Sequence, residues 1–134
     1  MGRILAIDVG TKRVGLALSD PLRVIASPWG ALPRDGKLWQ NLKALCAKEG
    51  VDLIVVGYVE SDYYGIATAM VKDFVEEMQK VIDLPVRFQD ESYSSEEAES
   101  YLRSRGKQRS SRENRDSLAA TRILWEYLDS FQKN

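Results

Sequence analysis

Two apolar runs, residues 4–9 and 14–18, open this 134-residue chain with only Gly10, Thr11, Lys12 and Arg13 between them. A link so short, made of turn-forming and basic residues, joins the runs as a β-hairpin lying in a core sheet. Every later element has to be arranged around that pair. Within it, Asp8 interrupts the first run. A carboxylate in a buried strand is costly to ionise unless it is paired, hydrogen-bonded or bound to a metal ion. Asp8 therefore has two readings. It is a strand-end side chain hydrogen-bonded to the Gly10-Thr11 backbone, or it belongs to a functional site.

Composition narrows the chemistry. The chain has no histidine, which removes Ser-His and Cys-His catalysis, imidazole zinc sites and histidine general bases. Its single cysteine, Cys46, excludes an internal disulfide and a cysteine metal cluster. Cys46 falls on the apolar face of an expected helix and reads as a buried structural thiol. Hydrolytic chemistry must then rest on carboxylates, metal ions, Lys, Arg or hydroxyls. With 44% hydrophobic and 29% charged residues, the chain reads as one soluble globular domain over residues 1–134. No apolar run has membrane length and no basic signal-peptide start is seen, so no membrane and a cytoplasmic location are expected. The formal net charge is −1, so any nucleic-acid surface has to be local.

Residues 23–29 read as a third strand closed by Pro28 and Gly30, with 31–36 a loop. Leu38, Leu42, Leu45 and Cys46 recur at helical spacing over residues 37–49, and Gly50 is a plausible stop. Residues 53–57 form a continuous apolar run, as in a strand buried on both faces. A tyrosine-rich loop over 58–65 precedes a helix over 66–81, marked by Ile66, Met70, Phe74, Met78 and Val81. Residues 85–89 make a further strand that ends in Asp90-Glu91-Ser92. Ser94 and Glu97 form a capping box opening a short helix towards Arg103. Residues 103–112 have no apolar periodicity and read as a mobile segment. A last helix covers residues 112–131. Three strands with short links, then alternating helix and strand, predict an α/β fold. Its sheet is mixed and five-stranded, antiparallel at one side and parallel at the other, flanked by helices.

Asp8 ends the first strand, and Asp90 and Glu91 end the last. In open α/β sheets, sites form beyond the carboxyl ends of the parallel strands, so these carboxylates can face one crevice. On the last helix the apolar face comprises Ala119, Ala120, Ile123, Leu124, Tyr127, Leu128 and Phe131. Asp116 precedes Ala119 by three residues and Ala120 by four, which puts it on that face. The alternative use of Asp116 is to complement the helix macrodipole. Clustered carboxylates suit a hard cation, Mg²⁺ or Mn²⁺, as one ion or two. Arg103, Arg105, Lys107, Arg109, Arg112 and Arg115 gather in one loop and helix start, and Lys12 and Arg13 sit at the hairpin turn. Such clusters attract phosphate backbones, although a charge run is often only a solvated loop.

Together these residues resemble the YqgF family of pre-16S rRNA nucleases and Holliday-junction-resolvase-like proteins. The resemblance covers nearly the whole chain. Its most specific segment is residues 7–20, Ile-Asp-Val-Gly-Thr-Lys-Arg-Val-Gly-Leu-Ala-Leu-Ser-Asp. Val55-Val56-Gly57 matches the central strand of the family. Asp90-Glu91-Ser92-Tyr93-Ser94-Ser95, with Ala98, looks like its Asp-Glu-Arg-Leu-Thr-Thr-x-x-Ala. Arg115-Asp116-Ser117-Leu118-Ala119-Ala120, with Ile123-Leu124, looks like its helical motif. The resemblance implies an RNase H-like fold, metal ligands at Asp8, Glu91 and Asp116, and a supporting place for Asp90. It also implies a nucleic-acid substrate, precursor rRNA or branched DNA. Three positions depart from the family pattern: Gly57-Tyr58-Val59 replaces Gly-Leu-Pro, Ser92 replaces the motif arginine, and Arg115 replaces an apolar residue.

The first functional expectation is a metal-dependent nuclease, a hydrolase acting in maturation of the pre-16S rRNA 5′ end during ribosome biogenesis. A close variant resolves four-way DNA junctions, where paired incisions call for a homodimer rather than a monomer. A different class is an actin-like sugar kinase or ATPase, to whose phosphate loop Asp8-x-Gly10-Thr11 is similar. Those proteins clamp the nucleotide between two such domains, and this length provides one. The remaining class is a non-catalytic RNA-binding module on the same scaffold.

Overall fold

The computed structural model describes residues 2–58, 66–90 and 112–132, with side chains at 69–90 and 117–130 in the last two segments. Five strands, β1 (Arg3–Val9), β2 (Arg13–Ser19), β3 (Ala26–Pro33), β4 (Val51–Tyr58) and β5 (Val86–Asp90), form one sheet in the order β3-β2-β1-β4-β5. β1 pairs antiparallel with β2, and β2 with β3. β1 pairs parallel with β4, and β4 with β5. The expected mixed sheet is present, with the hairpin supplying its central strand. The described helices are α1 (Leu38–Glu49), α2 (Ile66–Gln79) and α3 (Arg112–Gln132).

Side chains alternate across a strand, so β1 feeds two cores. Leu5 and Ile7, with Val14, Leu16, Ile54 and Val56, meet Leu42 and Cys46 of α1 and Phe74 and Met78 of α2. On the other face, Ile4 and Ala6, with Ala17, Ala26 and Val55, meet Ala120, Ile123, Leu124 and Leu128 of α3. Alanines on both partners let α3 lie close to the sheet. The apolar runs of β1 and β4 are continuous because both faces are covered.

Three sequence expectations shift. The third strand begins at Ala26, not Arg23, and runs through Pro28 and Gly30 to Pro33. Asp20 Oδ1 accepts hydrogen bonds from the N–H groups of Val24 and Ile25, and Arg23 adopts φ 59°, so this stretch is a built loop. The Ile25 bond is the largest cause that lowers the Asp20 pKa. The two prolines are tolerated because β3 is an edge strand. Register passes from Leu16↔Gly30 to Ala17↔Pro28, leaving Trp29 as the extra residue of a bulge, with Gly30 at φ 135°. In the second shift, α2 stops at Gln79, and the turn after it buries Ile82 while Val81 is exposed. The third is on α3, where the buried arc also takes in Ser117 and Thr121. Thr121 Oγ1 donates to the Ser117 carbonyl at 2.6 Å, which satisfies a hydroxyl in the packed layer.

The two ends of the sheet are built differently. At the N-terminal end of β1, polar groups are tied up in structure. Gly2 N–H donates to Asp52, Arg23 bridges the Gly2 carbonyl and Asp52, and the Ser19 hydroxyl accepts from Ile4 N–H. The C-terminal end of β1 is the end that carries Asp8.

Candidate functional site

The hairpin turn fixes where Asp8 stands. Gly10 N–H donates to the Arg13 carbonyl at 3.0 Å, closing a tight link directly after Val9↔Val14. That bond uses the Gly10 donor within the turn, so it is not what holds the Asp8 carboxylate. The chain leaving β3 comes back over the same turn. Arg34 N–H donates to the Lys12 carbonyl at 2.9 Å, and its guanidinium donates to the Gly10 carbonyl at 2.9 Å. The same guanidinium lies 5.4 Å from the centre of the Phe74 ring, linking the turn to α2. Arg34 is thus a support for the site that sequence periodicity could not mark.

Alternation places Asp8 with Ile4 and Ala6, on the face covered by α3. Directly across the antiparallel ladder is Gly15, and beyond it Ala31. On the other side Ile7 pairs with Val56, so the next step sets Asp8 beside Gly57, which in turn pairs with Gln89. One row across the sheet therefore reads Ala31, Gly15, Asp8, Gly57, Gln89. Asp8 is half-buried and both its neighbours are buried glycines. The carboxylate is thus flanked in its row by backbone that carries no side chain. Isolated glycines inside strands are a known sign of close approach, and Gly15 and Gly57 were the signal for this row in the sequence.

Arg13 is two residues from Gly15 along β2 and so shares the face of Asp8, as its diagonal neighbour across the hairpin. Lys12 is exposed and Arg13 half-buried. Together with Ala31, Leu32 and Pro33 they line a cleft of about 220 Å³. Asp8 is not among the residues that line it, but stands at the same end of the sheet.

Asp90 is placed differently. It stands in register with Tyr58, in the row of Val86 and Phe88, and Val86 and Tyr58 pack against the α1–α2 core. Asp90 thus closes the same edge of the sheet from the opposite face to Asp8. Asp116 lies in α3 four residues before Ala120 and seven before Ile123, both buried; its side chain is outside the described residues, as are those of Arg112 and Arg115. Glu91, Arg103, Arg105, Lys107 and Arg109 lie wholly outside them, and so do the capping-box helix and the basic segment. Among the described residues no three carboxylates, histidines or cysteines converge as a metal cluster. Among them, too, no helix is long and apolar enough to cross a membrane. Cys46 is buried and its thiol is pushed up to about 11 by desolvation, as suits a structural residue.

Comparison with known proteins matches these features. The sequence model of RuvX, described as Holliday junction resolvase, covers residues 2–130. A protein of Chlorobium luteolum, named as a candidate pre-16S rRNA nuclease, is 45% identical over an alignment that covers 96% of this chain and 94% of that protein. One of Amoebophilus asiaticus with the same name is 39% identical, covering 100% of this chain and 99% of its own length. The solved structure of T. thermophilus RuvC in complex with Holliday junction substrate aligns with a TM-score of 0.60 at 11% identity, over 98% of this chain and 96% of that one. That likeness is one of fold, the RNase H-like sheet with Asp8 on its central strand. The motif around Asp8, the sheet order and near-complete coverage by relatives agree: this chain belongs to the RuvX family, the YqgF-type proteins that its opening strand resembles.

Proposed function

We propose that the protein is a divalent-metal-dependent nuclease that hydrolyses phosphodiester bonds in precursor 16S rRNA, maturing its 5′ end in the cytoplasm. The observation that carries this reading is the half-buried Asp8 between two buried glycines, at the sheet edge where Lys12 and Arg13 gather. The names of the relatives supply the substrate.

The residues present suit a hard cation. Asp8 offers carboxylate oxygen, and the chain's single cysteine, Cys46, lies in the core on the other face of the sheet. Asp8, Glu91 and Asp116 would hold Mg²⁺ or Mn²⁺, with Asp90 supporting them from the other face. When bound, one or two such ions supply positive charge that polarises the phosphodiester and acidifies water. Lys12 and Arg13 hold the phosphate at the hairpin turn, beside Asp8. Arg103, Arg105, Lys107, Arg109, Arg112 and Arg115 supply the wider electrostatic attraction.

A second substrate is favoured by the family description itself, a four-way DNA junction. Two matched incisions there need a homodimer, whereas end maturation of RNA is within reach of a monomer. The test runs the purified protein with Mg²⁺ or Mn²⁺ on precursor 16S rRNA and on four-way junctions side by side, against Asp8→Asn. Metal-dependent shortening of the rRNA 5′ end by the wild type alone is expected. Cleavage of the junction only would move the function to recombination. Equal activity in Asp8→Asn would remove the site.

A further inference from the structure

Gln89 is the next side chain along the Asp8 row on the parallel side of the sheet, and nothing above gives it a task. We infer that Gln89 is a substrate-positioning residue whose amide Nε2 donates to a non-bridging phosphate oxygen next to the bond cleaved at Asp8. This rests on the reading of Asp8 as part of the cleavage site.

The placement comes from register. Gln89 pairs with Gly57, and Arg87 with Val55. Val55 belongs to the α3-side core, so Arg87 and Gln89 share the face of Asp8. The backbones of Asp8 and Gln89 are two strand spacings apart, about 10 Å. Gly57, the residue between them in the row, carries no side chain of its own. A sugar-phosphate chain crossing the row at Asp8 next meets the Gln89 amide. Gln89 is half-buried, at the C-terminal end of the edge strand β5. Its Nε2 donates to the Asp90 carbonyl at 3.4 Å, long for an amide hydrogen bond. A donor so loosely held can turn to a phosphate at small cost.

The residue type fits the place. A carboxylate here would repel phosphate and compete with Asp8 for a cation. A neutral amide gives a directed hydrogen bond and leaves the charge balance around Asp8 alone. Arg87, exposed one row back on the same face, adds longer-range attraction.

The test compares Gln89→Met, Gln89→Glu and Gln89→Lys with wild type in steady-state cleavage of precursor 16S rRNA, with Asp8→Asn as control and melting curves for each. Gln89→Met keeps the shape and loses the donor, so KM is expected to rise about tenfold with kcat within about twofold. Gln89→Glu raises KM further by repulsion. Gln89→Lys restores a donor to phosphate; its KM stays near wild type and its salt dependence steepens by about one unit. A merely structural glutamine would tolerate Met better than Lys, and that order of KM values would overturn the inference. Wild-type KM in Gln89→Met would also overturn it. An inactive Asp8→Asn beside an unaffected Gln89→Met would leave the cleavage site standing and remove only the role of Gln89. An active Asp8→Asn would remove the site on which the role depends.

Discussion

Asp8 shows how one residue can be at odds with its strand and still belong there. It follows Ile4 and Ala6 on the face under α3, where an apolar residue would pack without electrostatic cost. Its neighbours on both sides in the row are glycines, which offer it no side chain. Replacing Asp8 by Asn keeps the volume and removes the charge. Nuclease activity is expected to fall by more than about 100-fold, the upper range for losing even an indirect metal contact. The metal-free protein should melt at the same temperature or higher, because neutralising one member of the proposed carboxylate set relieves repulsion. A clear fall in melting temperature would instead mark Asp8 as a structural residue. Cys46 makes the contrast. Burial raises its thiol from 9.0 to about 11, so between those values the unfolded chain has lost a proton that the folded one retains. Stability is therefore complete below pH 9 and declines as pH rises towards 11. In thermal melts from pH 8.5 to pH 11, wild type should lose more stability than Cys46→Ala. Equal losses would show that the thiol is not protected by the fold.

At the scale of elements, the β1–β2 hairpin is the part whose geometry the site cannot do without. A Cβ on Gly10 would lie 2.5 Å from the Arg13 carbonyl oxygen, a backbone atom held in the turn. Gly10→Ala must therefore displace the link that positions Arg13 opposite the end of β1. We expect a loss of about 1–3 kcal/mol by urea denaturation, with weakened nucleic-acid binding as Lys12 and Arg13 shift. Unchanged stability would mean that the turn relaxes freely and does not set the site. Arg34 is the external brace on this element, through its bonds to the Gly10 and Lys12 carbonyls. β3 follows a different logic. Its bulge at Trp29 and its two prolines disrupt regular pairing along the outer edge, which discourages addition of a further strand. On α3, alanine on the sheet side and the Thr121 hydroxyl returned to the Ser117 carbonyl allow close packing.

The whole molecule divides its charges by sheet end. At one end Gly2, Arg23 and Asp52 are bound to one another; at the other stand Asp8, Lys12 and Arg13. In the proposed function the basic residues between positions 103 and 115 supply most of the attraction for nucleic acid, since the chain as a whole has a net charge of −1. Replacing Arg105, Lys107 and Arg109 together by alanine should weaken binding to all nucleic-acid sequences and flatten the salt slope by about one unit per lost contact. The melting temperature should hardly change, since exposed charges contribute little to folding. Binding isotherms across a salt series check this; an unchanged slope would send the substrate to the carboxylates by another route.

Much of this was legible in the order of residues. Residues 4–9 and 14–18 could only be a hairpin because four residues separate them, and the continuous apolar run of β4 required cover on both faces. Gly50, at φ 67°, stops α1 where its residue type said it would. Local rules reach that far because turns, periodicity and caps are decided by neighbours in sequence. They misplaced the start of β3, where Asp20 builds a loop through side-chain bonds, and they passed over prolines that an edge strand tolerates. Above all, the row from Ala31 to Gln89 joins residues from five strands through register. Register is set by how the sheet as a whole buries its two faces. Asp8 could be suspected from its strand alone, but the bare glycines beside it and the amide beyond them became its neighbours only when the strands were laid side by side.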